Sequence, residues 1–156
     1  MAEKVTDYLK NAPILLGDEF ENREFVFTKV TEQTLEKGWV TEQFLQKIIE
    51  REQVFPTGLH QGSFGIAIPH TDPECIVEEF ISLVVPKKPV TFQRMDDINL
   101  SVGADFIFIL GLNQPHQQLA MLQQLMELIQ NTTLLQALSK QTEAQDIITL
   151  LEENGY

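Results

Sequence analysis

Apolar and polar positions follow two periods along this chain, and the changes of period mark its elements. In residues 24–37, Val26, Phe27, Val30, Thr34 and Leu35 fall on one side at helical spacing, and Gly38 stands where a glycine commonly ends a helix. Thr41 offers a cap for a second helix whose apolar stripe is Phe44, Leu45, Ile48 and Ile49. Residues 55–62, with Pro56, Gly58 and Gly62, are expected to form a loop. The period then shortens: Ile66 and Ile68 alternate with small Gly65 and Ala67, predicting a buried strand that Pro69 closes, because proline cannot donate to a sheet ladder. Phe80–Val85 predicts another strand, ended by Pro86, and residues 105–110 a third, apolar on both faces as a central strand is. Residues 90–99 between them read as polar loop. Helical spacing returns with Asn113 as the expected N-cap, Pro115 in the first turn, and Leu119, Leu122, Leu125, Met126 and Ile129 along one face. Shorter helices are expected over residues 133–139 and 143–153.

Residues 1–22 are acidic and form the least defined segment, with one apolar run, Ile14–Leu16, expected as an edge strand. Helices and strands are interleaved, and no repeat or flexible linker interrupts them. The expected fold class is therefore α/β or mixed α+β: one domain over residues 1–156, a central mixed sheet flanked by helices.

Charge narrows the partners. Lys and Arg number 11 against 23 Asp and Glu, a formal net charge of −12. Such a surface repels nucleic-acid phosphates, and Lys87-Lys88 is too small a basic cluster to reverse that. It suits a partner with a basic face, which the charge would steer in, and it also serves solubility. Cys75 is the single cysteine, so an intramolecular disulfide is excluded and a cysteine-based zinc site is not expected. The first residues carry no signal-peptide apolar region and no apolar run reaches membrane-spanning length, so a cytosolic protein without membrane insertion is expected.

Three residues carry candidate chemistry. His70 follows the Ile-Pro end of a buried strand, which sets it at a sheet edge on a rigid stem, as either a strand-end polar residue or a reactive imidazole. His116 falls in the first turn of a helix that directly follows a central strand, where the helix dipole and free N–H groups favour an anion. A neutral ring there is either an exposed polar residue or a hydrogen-bond donor to a phosphoryl oxygen. Arg51, one of three arginines, closes the second helix. It is either a surface ion pair with Glu50 and Glu52 or a guanidinium clamp for a phosphoryl group. His60 reads as surface, Asp96-Asp97 as solvated charge, and Ser63 lacks a nucleophile-elbow glycine pattern. Phosphate-cradling nucleotide loops and the H-E-x-x-H zinc motif are absent.

Arg51-Glu52, Phe55-Pro56-Thr57-Gly58, Gly65-Ile66-Ala67-Ile68-Pro69-His70 and Asn113-Gln114-Pro115-His116-Gln117-Gln118-Leu119 together resemble the enzyme IIA domain of the bacterial phosphoenolpyruvate-dependent sugar phosphotransferase system, in its fructose–mannitol superfamily. The resemblance spans residues 24–152, and the segment from Arg51 to Gly58 looks most like the galactitol branch. It implies that His70 is the phosphorylated histidine, His116 the second active-site histidine and Arg51 the phosphoryl-binding arginine. It also implies a phosphoryl donor, the histidine phosphocarrier HPr, and an acceptor cysteine on enzyme IIB. IIB in turn phosphorylates sugar during uptake through the membrane enzyme IIC. No metal, nucleotide or other cofactor is implied. A second function open to such domains is phosphorylation-dependent regulation, as in the nitrogen-regulatory branch. Nearby Asp72, Glu74, Glu78 and Glu79 would raise the Cys75 pKa, so this thiol is not expected to carry phosphate.

Overall fold

The computed structural model describes residues 4–156. The elements run α1 (Val5–Leu9), β1 (Ile14–Leu16), α2 (Arg23–Glu36), α3 (Phe44–Val54), β2 (Gly58–Gln61), β3 (Phe64–Ala67), a 3-10 turn (Pro73–Cys75), β4 (Phe80–Val85), β5 (Val90–Gln93), β6 (Ser101–Ala104), β7 (Phe106–Gly111), α4 (Pro115–Ile129), α5 (Thr132–Ser139) and α6 (Ala144–Glu153). Five strands form one mixed sheet in the order β1-β4-β7-β3-β2. β1 runs parallel to β4, β4 antiparallel to β7, β7 parallel to β3, and β3 antiparallel to β2. The fold is the expected mixed α/β architecture, and β7, buried at every position, is its central strand.

Strand alternation divides the core between the two faces of the sheet. Ile66, Ile81, Leu83, Phe106, Phe108 and Leu110 pack with residues of α1, α4, α5 and α6. Ala67, Phe80, Val84, Ile107 and Ile109 pack on the other face with α2, α3 and the ribbon β5–β6. Each face thus buries continuous apolar surface, at about 25 cal/mol per Å² removed from water. Gly65 lets the ribbon close on β3, because a Cβ there would overlap the Gly103 carbonyl oxygen. Gly38 ends α2 in the left-handed conformation, at φ 75°.

Several local expectations are corrected. Residues 55–62 are not all loop, since Gly58–Gln61 is the edge strand β2; Gly58 and exposed His60 hid the pattern. Residues 90–99 contain β5, in which Val90 and Phe92 are buried and Thr91 is exposed. Its partner β6 and the helix α1 are further elements that the pattern did not announce, each being too short to show a period. Thr41 is not the cap of α3: a turn intervenes, the helix begins at Phe44, and Thr41 contributes its carbonyl to the Phe44 N–H. The N-cap of α4 is Gln114, while the Asn113 side chain donates to the Ile76 carbonyl. The buried face of α4 is Met121, Leu125, Leu128 and Ile129; Leu119 is 60% exposed, because the apolar arc is wider than the sheet can cover.

Candidate active site

His70 stands three residues beyond β3, past Ile68 and Pro69. β3 lies between β7 and β2, so His70 sits at the end of an inner strand rather than on an edge strand. The Leu110 N–H donates to the Pro69 carbonyl at 2.9 Å, and His70 forms a parallel bridge with Leu110. The backbone under the ring is therefore tied to the central strand. The imidazole is half-buried, and its Nδ1 is 3.0 Å from the Ile68 carbonyl oxygen. A carbonyl only accepts, so Nδ1 carries the hydrogen, and in the neutral ring Nε2 keeps its lone pair. That is the tautomer a nitrogen nucleophile needs. The ring borders a recess of only about 40 Å³, shared with Leu110, Leu112, Gln118 and Leu122. Larger clefts are open: one of about 410 Å³ between the stretch from Glu19 to Glu21 and α2, which carries none of these groups, and one of about 440 Å³ lined by Thr41, Gln43, Lys47, Asp72, Glu74 and Cys75. The ring itself has only this small recess, which suits a macromolecular partner at His70 better than an enclosed small molecule.

Arg51 comes from the last turn of α3. Its Nη1 lies 3.6 Å from an Asp72 carboxylate oxygen, two residues beyond His70, and Lys47 reaches the other oxygen at 3.9 Å. The sequence alternative of pairing with Glu50 and Glu52 is not realised: Glu50 accepts from Gln46, and Glu52 turns inward. The Arg51 guanidinium lies over the exposed Phe55 ring at 5.0 Å, and its Nε is buried without a hydrogen-bond partner. A partly exposed ion pair is worth about 0–1 kcal/mol, so Asp72 is a weak competitor for a better anion.

His116 is exposed in the first turn of α4, whose Gln118 and Leu122 line the His70 recess. The Gln118 side chain donates to the Leu112 carbonyl at 2.8 Å, which binds the start of α4 to the end of β7. The anion attracted to this helix start is supplied internally: Glu79 Oε2 accepts from the Asn113 N–H at 2.9 Å and the Gln114 N–H at 3.3 Å. Among the described residues, no hydrogen bond or ion pair directly joins the side chains of His70, Arg51 and His116. Arg51 pairs with Asp72 in the segment that follows His70, and the helix that carries His116 lines the His70 recess with Gln118 and Leu122.

Cys75 is buried in the 3-10 turn, and its thiol is pushed up first by burial and further by Asp72 and Glu74. His60 is exposed on β2, as expected for a surface residue. Sequence reasoning missed Glu52, which is 2% exposed and hydrogen-bonded by both oxygens to Thr57. No helix of the described residues is long and apolar enough to cross a membrane.

The fold and the site together define a class: a mixed α/β domain presenting one anchored imidazole at the end of its sheet. Residues 7–154 match the family described as phosphoenolpyruvate-dependent sugar phosphotransferase system, EIIA 2. The PTS system galactitol-specific EIIA component of Escherichia coli K12 is 32% identical over 137 residues, covering 88% of this chain and 91% of that protein. Among solved structures, the complex of mannitol enzyme IIA with phosphorylated enzyme IIB from Escherichia coli aligns at TM-score 0.70 and 21% identity, over 90% of this chain and 94% of that one. The nitrogen regulatory protein IIA-Ntr of Neisseria meningitidis aligns at TM-score 0.75 and 20% identity, over 94% and 98%. The chain belongs to the EIIA 2 family of the sugar phosphotransferase system, and it is a phosphotransferase component of the phosphoryl-carrier type.

Proposed function

We propose that this chain is a cytoplasmic phosphoryl carrier that accepts phosphate from phospho-HPr on His70 and delivers it to an enzyme IIB cysteine, for uptake of galactitol or a similar polyol through enzyme IIC. The observation that carries this reading is the anchored ring, with Nδ1–H on the Ile68 carbonyl and Nε2 left free. The Nε2 lone pair attacks phosphorus while the P–N bond of the donor histidine breaks and returns its electron pair to the donor ring. Nδ1 keeps its hydrogen throughout. In the second step a IIB thiolate attacks the same phosphorus, and the Nε2–P bond breaks. Transfer of this kind is mainly positioning and charge stabilisation. Arg51, with its unpartnered Nε and weak tie to Asp72, would stabilise the phosphoryl oxygens, and His116 would donate one hydrogen bond to them. The shallow surroundings of His70 leave room for donor and acceptor proteins in turn.

The galactitol-specific relative supports transport, whereas the nitrogen regulatory neighbour supports only a shared fold. Incubation with enzyme I, HPr and phosphoenolpyruvate, followed by site mapping and addition of a galactitol IIB, tests the reading. Expected are one phosphohistidine at His70, its loss in a folded His70→Ala variant, and onward transfer to IIB. Normal labelling of His70→Ala would overturn the assignment; labelling without any transfer to IIB would favour the regulatory alternative.

A further inference from the structure

The strand that ends at His70 is held by a buried polar chain reaching back to α3. Glu52 is 2% exposed and Thr57 3%. The Thr57 N–H donates to Glu52 Oε2 at 2.7 Å, and the Thr57 hydroxyl donates to Glu52 Oε1 at 2.9 Å. The same hydroxyl oxygen accepts from the Ile68 N–H at 3.2 Å. The Ile68 carbonyl then accepts from His70 Nδ1 at 3.0 Å. One residue, Ile68, is thus fixed on its N–H side by Thr57 while its carbonyl holds the imidazole. β3 ends at Ala67, so the Ile68 N–H lies beyond the strand, and Thr57 supplies the acceptor it needs there.

With Glu52 ionised, the hydrogen positions follow. The Thr57 hydroxyl has one hydrogen, and with the Ile68 N–H on its oxygen that hydrogen goes to Glu52. Both Glu52 oxygens then accept, and the carboxylate completes the chain. Bonds to an ionised acceptor are the stronger kind, and members of such a chain polarise one another. Residue 51 of the same helical turn meanwhile reaches Asp72, on the other side of His70. Neighbouring side chains of α3 therefore grip the segment before His70 and the segment after it.

We propose that Glu52, acting through Thr57, is a positioning residue for phosphoryl transfer: it fixes Ile68 so that the Ile68 carbonyl selects the Nδ1–H tautomer of His70 and turns Nε2 outward. This rests on the carrier reading above. The test compares wild type with Thr57→Val, Thr57→Ser and Glu52→Gln by two readouts. One is the rate of phosphorylation by enzyme I, HPr and phosphoenolpyruvate; the other is the tautomer of His70 by imidazole nitrogen NMR in the unphosphorylated chain. Wild type is expected as the Nδ1–H tautomer. Thr57→Val and Glu52→Gln should give mixed tautomers and rates lowered about tenfold or more, as losses of outer hydrogen-bond partners do. Thr57→Ser, which keeps the hydroxyl, should restore both. A wild-type ring protonated mainly on Nε2 overturns the proposal without any variant. So does a folded Thr57→Val or Glu52→Gln with the wild-type tautomer and rate. Wild-type chain that takes no phosphate would instead overturn the carrier reading, while the tautomer comparison still decides the hydrogen-bond route.

Discussion

His70 and His116 occupy the ends of two neighbouring strands, and the chain holds them in opposite ways. His70 follows β3, its ring bonded to the Ile68 carbonyl and its backbone bridged to Leu110. Behind it the bonds run inward to a carboxylate almost wholly removed from water. His116 follows β7, exposed in the first turn of α4, and the polar contacts there, Glu79 to the helix start and Gln118 to Leu112, fix the helix rather than the ring. On the carrier function proposed above, the difference separates two demands of phosphoryl transfer. The nucleophile must keep one nitrogen free in one orientation, so it is built on buried, hydrogen-bonded backbone. A group that only donates to a passing phosphoryl oxygen can stay mobile and exposed, since partner and phosphate will order it. Arg51 lies between these extremes: stacked on Phe55 and lightly paired with Asp72, it is oriented but not committed.

This contrast can be broken first at Arg51. Arg51→Ala is expected to slow phosphorylation by about a hundredfold, the usual effect of removing a preorganised donor to developing charge. Arg51→Lys should also be impaired, because a point charge does not reproduce the planar fork. An Arg51→Lys variant at the wild-type rate would remove the clamp from the site.

The buried side of the contrast predicts a pH-dependent stability. Burial pushes the Glu52 carboxyl from an ordinary 4.5 up to about 7, against the opposing pull of its Thr57 bonds and of Arg23. Between those values the folded chain binds more protons than the unfolded one, so stability falls as pH rises from about 4.5 to about 7 and levels off above. At 1.36 kcal/mol per pH interval, the difference amounts to about 3 kcal/mol at most. Denaturant titrations across this range should show that component in wild type and not in Glu52→Gln. A Glu52→Gln variant with the same pH profile would mean that the carboxyl ionises without hindrance in the fold.

On the exposed side, His116→Ala should cost less, about tenfold in phosphorylation rate, corresponding to the loss of one hydrogen bond to a charged oxygen. Stability should be unchanged, since nothing in the fold depends on that ring. A drop in melting temperature would show that His116 is a structural residue. The smallest effect is expected at Cys75, where Cys75→Ser should accept phosphate and pass it on at the wild-type rate, because the thiol is buried and pushed away from the reactive thiolate. Loss of the onward step alone would show that the relay passes through this sulfur.

The sequence by itself determined the long elements and the stem that carries His70. Helical periods over α2 and α4 and the apolar runs of β4 and β7 exceed anything a loop would carry, and Ile68-Pro69-His70 announces a strand end with an imidazole on it. The resemblance built on Arg51, His70 and His116 came from residue types in order, which a chain displays directly. What the linear pattern left hidden was short or non-local. β5 and β6 have four residues each, and their strand character comes from pairing with each other and packing on the sheet. The occupied helix start at α4 depended on Glu79, 34 residues before Asn113. Glu52 looked like half of a surface pair with Arg51, since adjacent charges carry no sign of which one points inward. The fold decided that, by turning the chain after α3 so that Thr57, five residues on, meets Glu52 and also takes the Ile68 N–H at the end of β3. A lone buried carboxyl is costly, and it stays there because the Thr57 N–H and hydroxyl, just beyond α3, satisfy it.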